Sequence, residues 1–233
     1  MTTAGLTGCQ AGWLLMSLDV ETSFSILQDK ELDEALAGFE RIFTDIPVGL
    51  SDNEPDRLCD RMLRERLGEK KDREPPAPPI RAALEAPSYV EANVIYLDQF
   101  GIELSVRSWS QFPRVRLLDR MAREEETLKK RLYQSNPELL FTQLNGRKIY
   151  QERKKKKGLK HRLDLLEEKR PVTGELFREL KENFRRNELK ELEILNSLAL
   201  AFAANHSAEQ QLKSLPDDPP EDKFGLRMGI YYI

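Results

Sequence analysis

From Thr3 to Leu27 apolar residues fall in runs of four to six, interrupted first by Gly8–Gly12 and then by Asp19–Glu21. Short apolar runs punctuated by glycine and acidic turn signals predict three strands joined by two hairpins. Asp29–Phe39 then places Leu32, Leu36 and Phe39 at helical intervals with Gly38 near the end, which predicts a helix, and Arg41–Ile46 resumes as a strand. Pro55–Gly68 reads as a charged amphipathic helix closed by glycine. Glu74–Pro79 holds four prolines, so it predicts a stiff connector that is neither helix nor central strand. Ser88–Phe100 and Phe112–Leu132 return to helical periodicity, and Leu132–Glu138 predicts a fifth strand. Toward the end, Leu189, Leu192, Leu195, Ala199, Phe202 and Ala203 form one stripe, which makes Asn187–Asn205 a helix packed on the sheet. The closing Phe224–Tyr232 is apolar and aromatic enough to dock on the rest of the chain.

Strand, strand, strand, helix, strand, followed by a later strand and a sheet-packed helix, predicts an α/β fold. The expectation is a ribonuclease H-like mixed five-stranded sheet flanked by helices, with a helical insertion. Its core is 1–52 and 130–206, the mainly helical insertion is 53–129 and the docked tail is 207–233, all in one domain of a size that buries a substantial core.

Charge narrows the partners. The 233 residues carry 37 Lys and Arg against 40 Asp and Glu, a formal net charge of -3, which argues against a protein dominated by nucleic-acid electrostatics. A local basic patch survives that argument in Arg147–Arg162, where Arg153, Lys154, Lys155, Lys156 and Lys157 run together. Such a run reads either as a solvated loop or as a phosphate-contacting loop beside the sheet edge, and no aromatic interleaves with it to stack on bases. Cys9 and Cys59 lack metal-ligand spacing, and Cys9 beside glycine reads as a small buried residue rather than a nucleophile, because His161 and His206 lie far along the chain. The longest apolar stretch, Leu198–Ala204, is too short to span a bilayer, so the expectation is a cytoplasmic protein with no membrane association.

Polar positions gather at the ends of the expected sheet elements. Thr7 and Asp45 fall where two neighbouring strands present them at one edge. Glu193, Asn196 and Ser197 lie within one turn of the closing helix and share a face, from which an acid reaches that edge. Asp45 reads either as a metal or substrate contact or as a cap of the Ile46–Pro47 turn. Glu138, following a proline, reads either as a ligand or as an acid answering the free amides of a helix start.

Gly8–Trp13, Asp45–Leu50, Cys59–Arg61, Pro79–Leu84, Asn136–Leu139, Leu198–Ala201 and Gly225–Met228, in that order, resemble a bacterial and archaeal family, domain of unknown function family 429, described as predicted nucleases with a ribonuclease H-like fold. The resemblance implies a metal-dependent phosphodiester hydrolase, in which carboxylates hold two magnesium or manganese ions that activate water and stabilise the leaving oxygen. Placed by motif, the family's first-strand aspartate falls on Thr7, the next on Asp45, the His-Pro-Glu segment on Asn136, Pro137 and Glu138, and the last-helix aspartate on Asn196. The acids that remain are Asp45 and Glu138, with Glu193 one turn from Asn196 as a displaced third ligand. The resemblance thus leaves three readings: a nuclease relative using these three acids as catalytic residues and Asp45 and Glu138 as metal ligands, a degenerate nucleic-acid-binding module, or a scaffold that binds a protein or a second copy of itself through the insertion.

Overall fold

A computed structural model of the chain describes residues 1–68, 75–208 and 211–233. The three predicted strands are β1 (Thr3–Cys9), β2 (Gly12–Leu18) and β3 (Thr22–Leu27), an antiparallel meander. A short 3₁₀ turn and α1 (Leu32–Ala37) lead back to β4 (Arg41–Thr44), which lies parallel to β1. β5 (Leu132–Gln134) adds parallel to β4, so the sheet order is β3-β2-β1-β4-β5. This is the expected ribonuclease H-like mixed five-stranded sheet.

Between β4 and β5 run α2 (Leu58–Leu67), α3 (Arg81–Leu84), α4 (Tyr89–Phe100), α5 (Val106–Trp109), α6 (Phe112–Glu124) and α7 (Glu126–Arg131). The predicted Phe112–Leu132 helix is therefore broken at Glu125, whose backbone is extended (φ -118°, ψ 103°). The proline connector is irregular from Pro75 onward, and its Glu74 lies outside the described residues. Buried ion pairs tie these elements to the sheet. Arg57 chelates Asp60 at 2.7 and 3.0 Å and donates to the Val48 and Gly49 carbonyls, while Arg81 bridges Asp119 and Asp222.

After β5 come α8 (Pro137–Asn145), α9 (Lys156–Lys169), α10 (Val172–Asn183) and α11 (Glu191–His206), and the tail pairs β6 (Lys213–Leu215) with β7 (Ile230–Tyr232). Two corrections fall here. The fifth strand stops at Gln134, because Asn136 accepts the Leu139 amide at 3.0 Å and Pro137 starts a helix, where its missing N–H costs nothing. The lysine run is only partly a loop: Arg153, Lys154 and Lys155 lie in a turn, and Lys156 and Lys157 form the first turn of α9.

Side chains alternate across the sheet. Ala4 and Leu6 of β1, with Trp13, Leu15 and Ile42, pack beneath α1 and α6, and Leu14, Met16, Leu18 and Phe43 pack against α8 to α11 on the opposite face. α11 sits unusually close to β1. A Cβ at Gly5 would lie 2.3 Å from the Ala201 amide nitrogen and 2.6 Å from the Ser197 carbonyl oxygen, so glycine here lets helix and strand backbones touch. That approach brings Asn196 over the sheet edge.

Candidate functional site

The register pairs Leu6 of β1 with Thr44 of β4, so the next residues, Thr7 and Asp45, lie side by side where β4 ends. Thr7 Oγ1 lies 2.8 Å from both Asp45 oxygens, its single proton shared between them. Asn196 of α11 donates from Nδ2 to Asp45 Oδ2 at 3.4 Å. The Ile46 amide donates to Thr44 Oγ1 instead, so Asp45 does not cap the following turn. Burial pushes the Asp45 carboxyl up to about 6, against the opposing pull of the Thr7 hydroxyl, its own backbone amide, the positive charge of Arg114 and the Asn196 amide.

Arg114 reaches this strand end from α6. Its Nη2 donates to the Cys9 carbonyl at 2.6 Å, and its guanidinium lies 5.8 Å from the centre of the Trp13 ring. A Cβ at Gly8 would lie 2.2 Å from Arg114 Nε, so the glycine makes room for it. Cys9 is buried, and burial raises its thiol above the ordinary range, with the Glu193 charge adding to the rise and Arg114 opposing it. Both histidines are engaged elsewhere, His161 with Asn145 and His206 stacked on Phe202. Cys9 is a packed, protonated thiol.

The other expected acids have local partners. Both Glu138 oxygens accept from the wholly buried Arg162, Nε at 2.9 Å and Nη2 at 2.5 Å. Glu193 folds back on its own helix start, Oε2 accepting the Lys190 amide at 2.8 Å and Oε1 the Lys190 ammonium at 3.1 Å. Asn136 caps α8. Among the described residues no three His, Cys, Asp or Glu side chains gather closely enough to hold a metal ion. The donor set of Asp45, Glu138 and Glu193 therefore does not fit the two magnesium or manganese ions that the resemblance implies: magnesium demands several hard anionic oxygens around one point, and here one acid faces two neutral donors while two are taken by cations.

What gathers instead is positive charge. A cavity of about 680 Å³ is walled by Lys154, Lys156, Lys181, Arg186 and Lys190, with Leu159 and Leu192 as its apolar side and Glu191, Glu193 and Asn196 completing it. Lys181 pairs with Glu191 at 3.0 Å and Lys190 with Glu193, leaving Lys154, Lys156 and Arg186 without a carboxylate partner among the described residues. Asn196 belongs both to this wall and to the Asp45 cluster. Of the expected basic residues, Lys155 and Lys157 are exposed and stand outside the cavity lining, as does the half-buried Arg153. Lys181, Arg186, Lys190 and Arg114 escaped the sequence reading. The available signal was the 3.6-residue repeat of Leu176, Phe177 and Leu180 in α10, which carries Lys181 at its end.

No helix among the described residues is long and apolar enough to cross a membrane. Comparison with curated proteins and with solved structures finds no match. Comparison with protein families matches residues 5–221 to the family described as Protein of unknown function (DUF429). That span takes in all but the first two residues of the five-stranded sheet, the insertion, the Asp45 cluster and the basic cavity, and the chain belongs to the DUF429 family.

Proposed function

We propose that the protein binds nucleic acid through its phosphates, without a metal ion, on a ribonuclease H-like scaffold whose carboxylate site is depleted. The observation that carries this reading is the convergence of Lys154, Lys156 and Arg186, cations with no carboxylate partner among the described residues, in one cavity that Asn196 joins to Asp45. Elementary electrostatics supports it from the protein's side as well. α9 begins with Lys156 and Lys157 and its N-cap Lys155 supplies no side-chain bond, so cations crowd the positive end of a helix dipole. A phosphate bound there relieves that repulsion and answers the free amides. No aromatic residue lines the cavity, so affinity comes from the backbone rather than from base stacking. The buried, unpaired Cys9 and Cys59 suit a reducing cytoplasm.

The test is fluorescence anisotropy with labelled single-stranded DNA and RNA of several sequences across a salt series, in EDTA and again in magnesium. The expected result is binding that is indifferent to sequence and to EDTA. With Lys154, Lys156 and Arg186 changed to Gln together, the slope of log affinity against log salt falls by about 2, near 0.7 per lost phosphate contact on a single strand. No binding at low salt, or magnesium-dependent cleavage of the probes, overturns the reading.

A further inference from the structure

The inner and outer faces of α4 differ in what covers them. Inward, Ala92 and Tyr96 are buried, and the Tyr96 hydroxyl accepts the Ile80 amide at 2.9 Å. Outward, Val90, Val94 and Leu97 are 67, 57 and 43% exposed, spaced so that they share one face. The chain turns at Gly101 (φ 66°) and comes back alongside the helix, where Asn93 Oδ1 accepts the Leu104 amide at 2.8 Å and the Tyr89 hydroxyl donates to the Leu104 carbonyl at 2.7 Å. Asn93 lies three residues from Val90 and four from Leu97, so this return segment runs beside the exposed face. It carries Ile102 and Val106, which are 45 and 69% exposed.

Ten large hydrophobic side chains are exposed among the described residues, and five of them lie in this one stretch. A helix apolar on both faces is ordinarily a buried helix. No part of the described chain covers this one, and the apolar tail is paired into β6–β7 at the sheet.

We propose that this face is a homodimer interface, with α4 packing antiparallel on α4 of a second copy across a twofold axis near Val94, and Ile102 and Val106 at its margin. Area favours a second copy. A standard interface buries about 800 Å² per partner, and homodimer interfaces are about 65% apolar, so about 500 Å² of apolar surface is needed from each side. The five side chains, at their fractional exposures, offer roughly 450 Å². Under a twofold axis the patch meets itself, so no separate complementary surface has to exist. Exposed Glu91 and Asp98, beside this face on α4, supply a polar rim. The proposal stands apart from phosphate binding, which uses α9 to α11.

Sedimentation velocity across about 1–100 μM tests it, because interfaces of this size reach at least micromolar affinity. The expected result is a concentration-dependent dimer, weakened by at least about 100-fold in Val94→Glu, which buries two unpaired charges at the axis. Val94→Cys treated with a short bismaleimide is expected to give a covalent dimer, while Glu179→Cys, exposed on α10, stays monomeric; Cys9 and Cys59 are buried and do not compete. A wild-type protein that stays monomeric at the highest concentration, a dimer that Val94→Glu leaves intact, or equal cross-linking from both cysteine variants overturns the proposal.

Discussion

Two carboxylates, the half-buried Asp45 at the end of β4 and the buried Glu138 at the start of α8, are treated by the protein in opposite ways. Glu138 is held by the guanidinium of a wholly buried Arg162, so its charge is neutralised and committed to structure. Asp45 receives the Thr7 hydroxyl, its own backbone amide and the Asn196 amide, with Arg114 acting through its field, so its charge is solvated by dipoles and carries a desolvation cost. A buried acid with a bonded cation is a fastener; a half-buried acid with neutral donors is a place where a proton or a ligand can still change the balance. Thr7 and Asn196 donate to Asp45 without adding the negative charge that would hold a cation.

The contrast is broken most severely by Glu138→Gln. It strands the Arg162 charge in the core and is expected to cost about 3–5 kcal/mol in urea unfolding, whereas replacing both partners by apolar residues of similar volume costs far less. A single substitution as mild as a surface change would show that Glu138 does not fasten α8 to α9.

Asp45→Asn goes the other way. With a folded value of about 6 above the ordinary 3.8, the cost of ionised Asp45 is absent below pH 3.8, grows as pH rises, and is complete above 6. The amide removes that cost, so the variant is expected to gain about 1–3 kcal/mol over wild type at pH 8, with the gain fading to nothing by pH 4. Unfolding both proteins in urea across that range checks it; a variant less stable at every pH contradicts it.

Thr7→Val has the smallest expected effect. Losing one hydroxyl donor costs about 1 kcal/mol and pushes the Asp45 titration further up, because the Thr7 bond opposes the rise. The same urea series resolves it as an upward move of the inflection.

Much of this frame was legible in the chain. The three strands before Leu27, the β4 strand and α11 follow from local apolar periodicity, and the parallel placement of β1 and β4 made Thr7 and Asp45 neighbours. The Asn136-Pro137 start of α8 was also written locally, as an N-cap followed by proline, yet the apolar Leu132-Tyr133 ahead of it drew the strand too far. What sequence could not supply was pairing across distance. Arg162 is 24 residues from Glu138 and sits in a helix whose charged first turn masked the Leu159, Leu163 and Leu166 repeat. Arg114 reaches Cys9 from 105 residues away, through a gap that only Gly8 leaves open. Lys181 and Arg186 join Lys154 and Lys156 only once α9, α10 and α11 have packed.

The most direct measurement is a side-chain carbon NMR titration of Asp45 in the intact protein, run with and without magnesium. A site that holds protons and phosphate rather than a metal gives a midpoint near 6 that magnesium does not move. A midpoint near the ordinary 3.8 would contradict the account, and one driven down by millimolar magnesium would contradict it by placing a working metal centre at the end of β4.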